Sequence, residues 1–80
     1  MRRELGEMAR IDIKAEITGK VWQIAAPVGS SVSEDDPIVI LEAMKMEIPV
    51  VATSSGKVAE IRFAEGDTVN EGDVVAILES

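Results

Sequence analysis

Residues 10–43 can be laid over residues 47–80 without a gap, and this internal repeat constrains the fold more than any other feature of the 80-residue chain. At an offset of 37 positions the identities are Ile11/Ile48, Ala15/Ala52, Gly19/Gly56, Lys20/Lys57, Val21/Val58, Ile24/Ile61 and Gly29/Gly66, followed by Val32/Val69, Glu34/Glu71, Asp36/Asp73, Ile40/Ile77, Leu41/Leu78 and Glu42/Glu79. Thirteen identical pairs out of 34 stand far above the roughly two or three that chance supplies. Two copies are too few to stack as a solenoid, so a closed structure with pseudo-twofold symmetry is expected.

Each copy reads as strands. Ile11, Ile13 and Ala15 alternate with Asp12, Lys14 and Glu16, the period-two pattern of a half-buried strand, and Ile48, Val50 and Ala52 repeat it. Gly19 and Gly56 mark turns before the short apolar stretches 21–24 and 58–63. Segments 29–36 and 66–73 are rich in Gly, Ser, Asn and Asp, the residues of loops, and each copy closes on a β-branched run, 38–41 and 74–78. No window sustains a helical period. About eight short strands predict an all-β sandwich or flattened barrel of two interlocked halves. Residues 1–9 lie outside the repeat and are expected to be a disordered N-terminal extension, leaving 10–80 as one domain.

Composition limits the chemistry. There is no His, Cys or Tyr, so no Ser-His-Asp or Cys-His device, thiolate metal site or disulfide can form. Eight basic against 15 acidic side chains leave a formal net charge of −7, which argues against nucleic acid and anionic membrane surfaces as partners. No apolar run approaches the roughly 20 residues of a membrane span, and a soluble cytoplasmic protein is expected. Adjacent Asp35 and Asp36 read as a solvated loop, since a hard cation wants six or more converging oxygens. Trp22 reads most simply as a core or half-buried sheet residue.

The three residues between the copies break a local rule. Two β-runs abut there, so the chain must reverse, and a tight hairpin turn favours Asn-Gly, Asp-Gly or Gly-Gly because φ must be positive. Met44, Lys45 and Met46 supply none of these. A rule broken at one defined place marks a functional site. Two thioethers on a hairpin tip cannot both pack inward, and flexible apolar side chains on a surface suit recognition by another protein. Between them stands one primary amine, placed for acylation by another enzyme.

The run Glu42-Ala43-Met44-Lys45-Met46-Glu47 resembles the attachment motif of biotinyl domains, the carboxyl-carrier modules of biotin-dependent carboxylases in the biotinyl/lipoyl-attachment family. The likeness covers about residues 10–80 and includes the Gly56–Val58 turn, Gly66-Asp67-Thr68-Val69 and the Gly72–Leu78 ending. It implies a flattened β-barrel of two four-stranded antiparallel sheets with quasi-twofold symmetry, and a modified lysine on the hairpin joining the halves. It further implies covalent biotin on Lys45, attached by a biotin protein ligase, with Met44, Met46, Ala43 and Glu42 available for recognition and Glu42 mainly structural. The biotin ring would be carboxylated at a biotin carboxylase site and discharged at a carboxyltransferase site, in an enzyme such as acetyl-CoA or propionyl-CoA carboxylase. The chain itself would be a non-catalytic carrier. Glu16-Ile17-Thr18 replaces the Pro and Met often found before the first glycine, and Asp35 replaces a loop glycine; both bear on loop detail. The gapless register leaves no room for the "thumb" insertion of some bacterial members. Two alternatives remain: a lipoyl carrier acylated at the same lysine, whose motif would place a small or β-branched residue after the lysine, and an unmodified β-module used for assembly.

Overall fold

The computed structural model describes residues 10–80, and the expected N-terminal extension 1–9 lies outside the described residues. Eight strands follow in order: β1 (Arg10–Lys14), β2 (Gly19–Ile24), β3 (Ser31–Val32), β4 (Pro37–Ala43), β5 (Met46–Val51), β6 (Gly56–Ile61), β7 (Thr68–Val69) and β8 (Val74–Glu79). They form two four-stranded sheets, ordered β1-β8-β6-β3 and β5-β4-β2-β7, with every pairing antiparallel. The arrangement is a flattened sandwich rather than a closed barrel.

The repeat sets the topology. It carries β1, β2, β3 and β4 onto β5, β6, β7 and β8, and so converts one sheet's strand order into the other's. Each sheet therefore takes two strands from each copy. The connecting hydrogen bonds obey the same operation. Ala15 N donates to Asp73 O and Ala52 N to Asp36 O, both at 2.9 Å; Gly29 N donates to Val58 O and Gly66 N to Val21 O, both at 2.8 Å.

Inward positions of the two sheets meet in one core, with Ile13, Ile38, Val39, Leu41, Val58, Val69, Val75 and Leu78 all buried. Several are repeat partners, as Leu41 with Leu78, so one packing solution serves both ends. The acidic loops are more structured than free solvation would make them. Asp36 Oδ2 accepts from Ser33 N and Asp73 Oδ2 from Asn70 N, each at 2.9 Å, closing local turns. Asp35 holds φ at 74° where its counterpart Gly72 has 90°, the left-handed conformation that Asp tolerates better than most residues.

The connection after β1 orients the molecule. Lys20 pairs across from Glu42, so Gly19 sits beside the β4–β5 junction. Only residues 15–18 separate Gly19 from the end of β1, whose first residue, Arg10, pairs with Glu79 at the far end. The β4–β5 junction and the paired ends of β1 and β8 thus occupy opposite ends of the sandwich.

Candidate functional site

Strands β4 and β5 pair as Leu41 with Ile48, Glu42 with Glu47 and Ala43 with Met46. Met46 is therefore the first residue of β5, not part of the linker, and the three-residue junction expected from the repeat narrows to a two-residue turn, Met44-Lys45. The cause is the register: once Ala43 faces Met46, two residues suffice to reverse the chain. Both turn residues hold positive φ, 51° at Met44 and 63° at Lys45, as a two-residue turn matched to strand twist requires. Each non-glycine residue in that region costs about 1–2 kcal/mol, so the chain keeps two unfavourable residues here.

The stem beneath the turn is stiff. Gly19 of β2 lies so close to β4 that a Cβ there would stand 2.8 Å from the Glu42 carbonyl oxygen and 3.3 Å from Ala43 Cβ. The strand carrying the turn is thereby clamped at its last two residues. Above the clamp the tip is open: Met44 is 85% and Met46 60% exposed, and Lys45 is exposed between them. Among the described residues Lys45 takes part in no ion pair, so its amine is open to approach from solvent. An exposed amine on a rigid stem is placed to carry a group tethered through an amide.

Charge at the neck is asymmetric with respect to the repeat. Glu42 faces Glu47 on one side and Lys20 on the other. Like charges directly opposite are unfavourable in an antiparallel pair. At the equivalent place near the other end, Glu79 faces Arg10 and pairs with it at 3.4 Å. Glu42 thus matches Glu79 in backbone position but not in its surroundings.

Every residue expected at the site is gathered on this hairpin: Glu42 and Ala43 end β4, Met44 and Lys45 form the turn, and Met46 opens β5. Of the two expectations for Trp22, that of a half-buried sheet residue holds and that of a core residue does not. Trp22 lies on the outside of the hairpin-bearing sheet, 49% exposed, within a register shift of β2 against β4 between Val21 and Gln23. Alternation from buried Val21 contained that signal, because the next side chain must point outward.

Known proteins agree with this geometry. The sequence profile of the biotin/lipoyl family, described as biotin-requiring enzyme, matches residues 9–78. The biotinylated protein TB7.3 homolog of Mycolicibacterium smegmatis is 46% identical over 41 residues, covering 51% of this chain and 58% of that one. The chain thus spans little more than half the length of such curated relatives. Among solved structures, Kluyveromyces lactis urea carboxylase superposes with a TM-score of 0.85 at 40% identity, over 98% of this chain and 7% of that one. The lipoyl domain of the 2-oxoglutarate dehydrogenase complex from Azotobacter vinelandii superposes with a TM-score of 0.68 at 34% identity, over 88% of this chain and 95% of that one. A profile match over most of the chain, on the fold that its repeat dictates, places this protein in the biotin/lipoyl family of biotin-requiring enzymes.

Proposed function

We propose that the protein is a biotin carboxyl carrier in which Lys45 Nζ forms an amide with the biotin carboxylate, made by a biotin protein ligase. The observation that carries this reading is the Met44-Lys45 turn, with both residues at positive φ on a clamped stem and the amine exposed. Acylation removes the lysine's charge and leaves the cofactor on a flexible arm. The group, when bound, takes up a carboxyl group in a biotin carboxylase and releases it in a carboxyltransferase, such as those acting on acetyl-CoA or propionyl-CoA. The chain's own part is positional. A tether of many rotatable bonds on a rigid body raises the local concentration of the reactive ring at sites that the sandwich itself does not enter. Met44 and Met46 offer the ligase and partner enzymes an apolar grip on either side of the amine, with Ala43 and Glu42 at its base.

The biotinylated relative supports biotin over lipoate, and so do the two methionines flanking Lys45. Likeness to a lipoyl domain keeps the rival concrete. Intact-mass measurement after co-expression with a biotin protein ligase and biotin decides between them. The expected result is one biotinyl adduct that disappears in Lys45→Arg. An unmodified wild-type chain under those conditions removes the proposal, and a lipoyl adduct formed with a lipoyl ligase alone transfers it to the rival.

A further inference from the structure

The pseudo-twofold relation allows the outer faces of the two sheets to be compared position by position, and they differ in one consistent way. On the sheet away from the hairpin, Arg10 bridges Glu79 at 3.4 Å and Glu60 at 3.7 Å, and Arg62 bridges Glu60 at 3.0 Å. Ile77, paired across the strands with Asp12 and Glu60, is only 5% exposed there. On the hairpin-bearing sheet the counterparts of Arg10, Glu60 and Arg62 are Glu47, Gln23 and Ala25. None of the three ion pairs can form. Ile40, the counterpart of Ile77, is less deeply buried, and Trp22 stands 49% exposed where the other sheet has Ala59. This face lacks the three ion pairs that cover the other sheet, and it carries the chain's single indole.

That face lies within reach of Lys45. The register sets Trp22 level with the Ile40–Leu41 step, two to three residues back from Ala43 and one strand over. At about 3.3 Å per residue and about 4.8 Å between strands, this is roughly 12–15 Å from the turn. A lysine side chain extended by the valeryl chain of biotin spans about 15 Å from Cα to the bicyclic ring by bond count.

Resting on the carrier reading above, we propose that the indole of Trp22 is a docking platform for the biotinyl group of the same molecule, a parked position against the outer face of the hairpin-bearing sheet. The apolar side of the bicyclic ring lies on the indole, while the ureido edge meets the exposed side chains of Gln23 and Lys20. The contact is weak, but tethering makes it intramolecular and so populates it at any protein concentration. The parked arm keeps an apolar ring out of water between visits to partner enzymes, and those enzymes draw it away by binding it more tightly.

Trp22 is the only tryptophan in the chain, so its indole Nε1–H gives one assignable resonance. The experiment compares this resonance in the full chain as the free amine, acetylated at Lys45, and biotinylated at Lys45 by the ligase; acetylation controls for loss of charge. The expected result is a displacement of the indole and Gln23 amide signals in the biotinylated form well beyond that of the acetylated form, unchanged on dilution. A Trp22→Ala variant should then bind streptavidin faster through its biotinyl group, because no parked state competes. Coincident biotinyl and acetyl spectra overturn the proposal and leave the carrier reading standing. A displacement that fades on dilution overturns it in favour of contact between two copies. Absence of any ligase-made adduct removes both readings at once.

Discussion

Met44 and Lys45 occupy the backbone region that glycine enters freely and side chains enter at a cost, and Lys45 cannot be exchanged if its amine is the acceptor. Met44 can be. In Met44→Gly the turn loses one left-handed side chain, and after the extra freedom of the unfolded glycine is counted the folded state should gain about 1 kcal/mol. For a chain of this size that raises the melting temperature by roughly 4–8 °C, measured by calorimetry on the unmodified protein. The same variant should be a poorer ligase substrate, since the thioether on one side of the amine is gone. A variant that melts no higher than wild type would mean that contacts of the Met44 side chain already offset the strain. Greater stability with poorer modification would show what the Met44 side chain is for: the chain keeps a strained thioether at the tip because another enzyme grips it.

The hairpin depends on its neighbour as well as on its own turn. Gly19 and Gly56 are repeat partners, and a Cβ would meet a backbone oxygen at 2.8 Å in one and 2.9 Å in the other. Backbone cannot step aside as a flexible side chain does, so Gly19→Ala and Gly56→Ala should each cost about 1–3 kcal/mol in denaturant titrations. Their functional effects should diverge. Gly19 presses on Glu42 and Ala43 at the root of the turn, whereas Gly56 presses on Glu79 at the other end. Ligase-catalysed modification should therefore slow in Gly19→Ala and stay at the wild-type rate in Gly56→Ala, compared at equal folded fraction. Equal slowing in both would assign the effect to general loss of stability. The strands themselves were legible because period-two runs such as Ile11-Ile13-Ala15 occur twice, and the turn stood out because Met-Lys-Met breaks the chemistry of hairpins. What escaped was register. Whether Met46 belongs to the turn or to β5 depends on its facing Ala43, a cross-strand fact that no linear pattern carries. The outward side of Trp22, by contrast, followed from alternation with Val21, and only the register shift beside it was unreadable. The Asp36 and Asp73 turn bonds went unread because they need a geometry, not a composition.

At the scale of the whole molecule the repeat describes a relation between halves that cannot stand apart. Within the first copy the only strand pair is β2 with β4, and within the second it is β6 with β8. All other pairs, β1 with β8, β3 with β6, β2 with β7 and β4 with β5, join one copy to the other. A lone copy would keep a single two-stranded pair, and such a pair is marginal in water. It would also expose the inward face that the second sheet now covers, including Leu41 or Leu78, both fully buried in the intact chain. A peptide of residues 47–80 should therefore give the circular dichroism and narrow amide dispersion of an unfolded chain. The intact protein should melt in one transition, with a calorimetric enthalpy equal to the van't Hoff value and near 50 kcal/mol at about 0.7 kcal/mol per ordered residue. Leu41→Ala and Leu78→Ala, one in each copy, should each cost about 2–5 kcal/mol and lower that single transition without splitting it. Two resolved transitions, or a folded 47–80 peptide, would contradict interlocking. A single transition means that strain introduced at the hairpin is shared by both sheets, and that is how so small a body can hold two unfavourable turn residues in place.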